Sequence, residues 1–305
     1  DLRMSRGLGD VYKRQIKNRS RRLINSILYP YLSRVRHHVL IVNFHQIAPE
    51  FNPERHLACT FTPTDVFRHT LLRLRKQFTF ISLAEANVKL ERPLDRNYCV
   101  LTFDDGFADV LNHALPVLEE LQIPATLFIN TGYLDDFAGS WVDAQTLFQR
   151  PEDHPAEIVA LTKTLRHETD PERYRAHRAV VEKYYATLSH RPTKYLSWEQ
   201  LRATAQSPLL TIGLHGHEHQ RQSMMTDEWN RANLQKCYDR LSPLPNFVPF
   251  YALPFGRLAD WDLRALDDAR ALGLTLLTHD NGVNRSRTPI LARCPSDGGH
   301  PSLPQ

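Results

Sequence analysis

Tyr98-Cys99-Val100-Leu101-Thr102-Phe103-Asp104-Asp105-Gly106 is the stretch on which the fold turns. A nearly continuous apolar, β-favouring run leads straight into two adjacent carboxylates and a glycine. A run of this kind without polar alternation reads as a strand covered on both faces, as in a parallel sheet. Similar runs are predicted as strands at Val39–Phe44, Phe78–Ser82, Ala125–Asn130, Leu209–Leu214, Val248–Leu253 and Leu274–Thr278. Helix-period segments lie between them, near 64–76, 108–121, 156–188, 197–206, 226–241 and 261–272. Strands alternating with helices argue for an α/β protein with a parallel sheet. About seven strands in this order predict a distorted or incomplete (β/α) barrel rather than an open doubly wound sheet.

The polar residues that matter stand at strand ends. Asp104-Asp105-Gly106, His215, Pro254-Phe255-Gly256 and His45 each follow a predicted strand. In parallel βα barrels the chemistry gathers where the strand C-termini meet their loops, so these residues are expected on one face. The run His215-Gly216-His217-Glu218-His219 adds two imidazoles four residues apart with a third between them. One carboxylate and two histidines form a ligand set for a catalytic divalent metal, and the remaining carboxylate is a ready general base. Taken alone, an Asp-Asp-Gly is more often an ordinary turn. Its coincidence with the histidine pair on strand ends favours metal-assisted hydrolysis.

Composition sets the outer limits. The 305 residues, 42% hydrophobic and 24% charged, suffice for a large core, and a formal charge of +4 is small for that length. Much of the basic excess lies before residue 37, including Arg3, Arg6, Lys13, Arg14, Arg21 and Arg22. Such an arm is suited to weak contact with an anionic membrane surface. No basic-aromatic module follows it, so nucleic acid is not an expected partner. Residues 1–15 resemble translated adapter read-through and are expected to be non-native. The domain plan is therefore a basic segment over 1–36, a barrel domain over 37–293 with a helical insertion near 135–196, and a tail over 294–305. Cys59, Cys99, Cys237 and Cys294 form no CxxC pair, which argues against a disulfide framework or a cysteine zinc site. No apolar run approaches the ~18 residues of a membrane span, and no signal-peptide core is visible. Cytoplasm and cell envelope both stay open as locations.

The ordered set Asn43-Phe44-His45, Thr102-Phe103-Asp104-Asp105-Gly106, His215-x-x-x-His219 and Tyr251-Ala252-Leu253-Pro254-Phe255-Gly256 resembles the successive motifs of the polysaccharide deacetylases. These form carbohydrate esterase family 4, built on the nodulation-type chitooligosaccharide deacetylase homology domain. The resemblance extends over roughly residues 39–293. It implies a metal-dependent hydrolase that removes acetyl groups, by N-deacetylation foremost, from a surface polysaccharide or related glycan. It further implies that Asp105, His215 and His219 bind the metal, with Zn2+ ahead of Co2+, Mn2+ or Ni2+. Asp104 would take the proton from the attacking water. The Phe255 N–H would complete an oxyanion site, with Pro254 and Tyr251 beside it. His279 and His45 are the two candidates for general acid.

The chain departs from the family pattern in several places. Gly216 stands where Ser or Thr usually follows the first histidine, Ala252 where Arg is common and Phe255 where Tyr is common. The final motif has no clean match. Two other functions compete. His215-x-x-Glu218-His219 also satisfies the His-x-x-Glu-His pattern of inverted zinc peptidases, with Glu218 as base, although that motif must lie in a helix and Gly213 and Gly216 disfavour one. The absent Arg also suits a glycan-binding relative that has lost turnover.

Overall fold

A computed structural model describes residues 37–53, 55–135, 150–165, 167–188 and 195–295. The elements run β1 (Val39–Phe44), β2 (Gln46–Ala48), β3 (Phe61–Pro63), α1 (Thr64–Arg75), β4 (Thr79–Phe80), α2 (Leu83–Lys89), β5 (Tyr98–Phe103), α3 (Leu115–Leu121) and β6 (Ala125–Ile129). They continue with α4 (Ala156–Leu165), α5 (Pro171–Tyr185), α6 (Trp198–Ala203), β7 (Leu210–Leu214), α7 (Asp227–Leu241), β8 (Phe247–Ala252), α8 (Leu263–Ala271), β9 (Thr275–Thr278), β10 (Ile290–Ala292) and β11 (Cys294–Pro295). The principal sheet has the order β10-β9-β8-β7-β6-β5-β1-β11, and every pairing along it is parallel.

Only Arg293 separates the two end strands of that order. β10 pairs with β9 while β11 pairs with β1, so one short segment borders both edges of the sheet and nearly closes it into a barrel. The predicted barrel is therefore present, but its last stave is not the expected one. The run Phe78–Ser82 shrinks to β4, which touches only the first two residues of β5. The closing stave comes from residues 290–295, part of which the sequence assigns to a tail. A charged residue in the middle of so short a strand hides its pattern.

Side chains alternate strictly across the staves, as the pleat requires. Leu40, Val42, Phe44, Cys99, Leu101, Phe103, Leu127 and Ile129 face outward and pack with Phe67, Leu71, Val117, Leu118, Leu234 and Leu266 of the surrounding helices. The opposite parity fills the barrel with Val39, Ile41, Val100, Phe128, Phe250, Leu277 and Leu291, and α2 plugs the strand-start end through Leu83, Ala86 and Leu90. Continuing that inward parity toward the strand ends gives Asn43, Thr102, Asp104, His279 and Arg293. The barrel is thus apolar at one end and polar at the other.

The predicted helix over 156–188 divides into α4 and α5 because Asp170 caps a new helix whose first residue is Pro171. Both lie between β6 and β7 and pack on each other. Ser197 and Gln200 form a reciprocal capping box at the start of α6. No helix among the described residues is long and apolar enough to cross a membrane. Residues 1–36, residues 136–149 of the predicted insertion and the last part of the tail lie outside the described residues.

Candidate active site

The turn after β5 separates the two carboxylates. Asp105 and Gly106 adopt φ of 71° and 76°, a left-handed pair that Asp tolerates and glycine adopts freely. Asp104 stays with the barrel interior and Asp105 reaches toward the loop after β7. Both are buried.

Asp105 meets two imidazoles there. Its Oδ1 lies 3.4 Å from Nε2 of His215 and 3.4 Å from Nε2 of His219, and it has no hydrogen-bond partner. The three ligand atoms lie within 4.8 Å of one another. Nδ1 of His215 is 2.7 Å from the Ala252 carbonyl oxygen, which can only accept, so Nδ1 carries a proton and Nε2 is the nitrogen turned toward Asp105. Burial pushes the His219 imidazole down to about 3, which keeps it neutral with one ring-nitrogen lone pair available. A buried carboxylate oxygen without a donor is costly unless something positive fills the space before it. One such oxygen and two imidazole nitrogens converging on one point fit a divalent cation.

Asp104 is held differently. Arg293, 0% exposed, donates from Nη1 to Oδ1 at 2.7 Å and from Nη2 to Oδ2 at 3.0 Å. Burial alone would raise the Asp104 carboxyl. The charge of Arg293, followed by His215 and His45, overrides it and holds the group well below the usual carboxylate range. Arg293 also donates to Asn43 Oδ1 at 3.2 Å, and Thr102 Oγ1 donates to the same oxygen at 2.8 Å. That fixes the orientation of the Asn43 amide, whose Nδ2 donates to Asp104 Oδ2 at 3.0 Å and faces His279 Nε2 at 3.1 Å. The His279 and His45 Nε2 atoms lie 3.7 Å and 4.0 Å from Asp104 Oδ2. Burial first, then the Arg293 charge, keeps His279 well below an ordinary imidazole pKa.

The loop that carries His215 and His219 is clamped from several sides. Asn130 donates to the carbonyls of His215 and Gly216, and the N–H groups of Thr131 and Gly132 bond to the carbonyls of Gly216 and His217. Asn233 of α7 accepts the His217 N–H at 2.7 Å, and its Oδ1 would lie only 3.0 Å from a Cβ at position 216. With a φ of 83° as well, that position is suited to glycine and not to the Ser or Thr of the usual pattern. The His217 ring bonds to Thr131 Oγ1 at 2.9 Å, away from Asp105. A Cβ at Gly132 would sit 2.5 Å from the His217 carbonyl oxygen. Gly132→Ala is therefore expected to cost about 1–3 kcal/mol of stability and to loosen the loop, as read by chemical denaturation and cation titration of the same samples.

The remaining predicted site residues divide. Phe255 is half-buried with a φ of 61°, its ring 4.8 Å from that of His219, and its N–H has no acceptor among the described residues. Pro254 is buried beside it. Tyr251 is not open to a substrate. It faces the outer layer, 2% exposed, and its hydroxyl accepts from Gln222 Nε2 at 2.7 Å. Residues 215–219 form no helix, with φ of 83° at Gly216 and 44° at His219. That removes the scaffold an inverted peptidase motif needs, and the Glu218 carboxylate bonds instead to Gln220. Arg293 was missed from the sequence. No local signal marks it, because the inward facing of Leu291 two residues earlier exists only once the sheet has closed.

The family model for polysaccharide deacetylases matches residues 91–277. The chain belongs to the polysaccharide deacetylase family. Solved structures of similar fold include IcaB from Ammonifex degensii, with a TM-score of 0.57, 18% identity and coverage of 85% of this chain and 91% of that one. The Streptococcus pyogenes deacetylase PplD in complex with acetate gives 0.56, 18%, 86% and 93%. The BpsB deacetylase domain from Bordetella bronchiseptica gives 0.52, 19%, 84% and 95%. No curated protein sequence is a significant match. In this chain Ala252 stands at the third motif, and the guanidinium on Asp104 comes from Arg293 in the closing stave.

Proposed function

We propose that this deacetylase-family chain is a metal-dependent hydrolase that removes N-acetyl groups from a surface polysaccharide. Asp105, His215 and His219 would hold the cation. A bound divalent ion supplies Lewis acidity toward the acetamide carbonyl and lowers the pKa of water toward neutrality. Asp104 takes the proton from the attacking water. Its Oδ2, 3.7 Å from His215 Nε2, is near the ligand atoms, and Arg293 and Asn43 keep it anionic and fixed in direction. The Phe255 N–H is suited to the oxygen that becomes negative as the carbonyl is attacked. The leaving amine takes its proton from His45, while His279, unprotonated and accepting from Asn43, flanks Asp104 from the other side.

The observation that carries this reading is the bidentate Arg293–Asp104 pair. It supplies the support for the base that a glycan-binding relative without turnover would not need. Acetate release is measured from a panel of N- and O-acetylated polysaccharides, with and without a chelator. Release that is lost on chelation and restored by Zn2+ is the expected result. Bound Zn2+ with no release from any member of the panel would overturn the proposal in favour of a binding protein.

A further inference from the structure

The two helices between β6 and β7 lie outside the motifs, yet α5 is packed directly on the loop that carries His215 and His219. Its Arg178 is 2% exposed, and its Nη2 donates to the carbonyl oxygen of Glu218 at 3.3 Å. Nε of the same side chain bonds to Glu182, and Nη1 donates to the Tyr174 hydroxyl at 3.4 Å. The head group is therefore fixed from three directions. Two further bonds tie the insertion to the loop that follows: Arg175 Nη1 to the Met224 carbonyl at 3.1 Å and Arg221 Nη1 to the Glu168 carbonyl at 3.2 Å. Around them Leu165, Tyr174 and Val181 pack with Met224 and Phe255.

The Glu218 carbonyl belongs to the peptide plane that leads into His219. That residue stands at a φ of 44°, a conformation costing a non-glycine residue about 1–2 kcal/mol, so the plane needs an external hold. The other clamps on the loop reach residues 215–217 from the end of β6 and from α7. Arg178 bonds the peptide next to His219.

We propose that Arg178 is a positioning residue for His219, which makes the inserted helix α5 a working part of the metal centre. The proposal rests on the reading of Asp105, His215 and His219 as metal ligands. It extends the site to a part of the chain that carries none of its motifs. A guanidinium bonded to the Glu218 carbonyl sets the orientation of the His219 imidazole toward Asp105, in the way that outer-shell partners orient metal ligands elsewhere.

The test is the Zn2+ affinity of the full chain, read by competition with a chromophoric chelator, with thermal melting of the same samples. R178M is expected to bind Zn2+ about 10–100-fold more weakly than wild type. I158A removes packing between the two inserted helices, in a cluster that holds no residue of the 215–225 loop, and is expected to lower Tm with affinity unchanged. Wild-type affinity in R178M overturns the assignment. So does an equal loss in I158A, which would reduce Arg178 to general support. Should R178M fail to fold, R178K decides. Its single ammonium group cannot span both Glu182 and the Glu218 carbonyl, so weakened binding is expected, and wild-type affinity overturns the proposal. Absence of Zn2+ binding in the wild type would instead overturn the metal reading itself.

Discussion

Asp104→Asn is expected to lower acetate release by about 10²–10⁴-fold while Zn2+ binding is retained. The amide has nearly the shape of the carboxylate, and with its oxygen in the Oδ2 place it still accepts from Arg293 Nη2 and Asn43 Nδ2, losing the second Arg293 bond. What is lost is the acceptor for the proton of the attacking water. Asp105, His215 and His219 are not altered by the exchange, and their cation affinity is the control. Metal titration and initial rates on one preparation separate the two effects. Rates within a few-fold of wild type would reject Asp104 as the base. Loss of Zn2+ together with activity would place Asp104 among the ligands instead.

Arg293→Met is expected to have the largest effect on stability, about 3–5 kcal/mol, because it strands a buried carboxylate without its counter-charge. The double variant Arg293→Met/Asp104→Asn removes both charges and is expected to recover part of that loss, in a denaturant double-mutant cycle. The pH dependence follows from the sign of the shift. In the wild type the Asp104 carboxyl is held below its unfolded value of about 3.9, so its contribution is fully present above that pH and is lost as pH falls through the lower folded value. Without Arg293, burial dominates and raises the group, so protonation at acid pH relieves the variant. The stability gap between wild type and variant is therefore expected to narrow between about pH 7 and about pH 4. A gap that is constant across that range would show that Arg293 acts through packing alone.

The barrel was legible because its staves are buried on both faces. Tyr98–Phe103 and Val39–Phe44 read as apolar runs whatever surrounds them, and helix signals between them leave few topologies. The candidate site was legible where short sequence spacing does the placing. Asp104 and Asp105 share one turn, and His215 and His219 share one loop. The partners of Asp104 were not legible, because Arg293 lies 189 residues away in sequence. Nothing local distinguishes an arginine that closes a barrel from one at a solvated end. The peptidase reading failed for the converse reason. A five-residue pattern does not state its backbone, and the left-handed turns at Gly216 and His219 exclude the helix it needs.

By itself the sequence determined which strand ends carry the acidic and imidazole side chains, and that a carboxylate and two histidines are available for a cation. Those properties follow from residue type and local spacing. Only the tertiary structure decided that Arg293 neutralises Asp104, that Asn233 occupies the space beside Gly216, and that α5 reaches the loop that carries His215 and His219. The physical reason is common to all three. A buried charge or a left-handed peptide must be stabilised by whatever the fold brings within a few ångströms, and sequence distance does not measure that proximity.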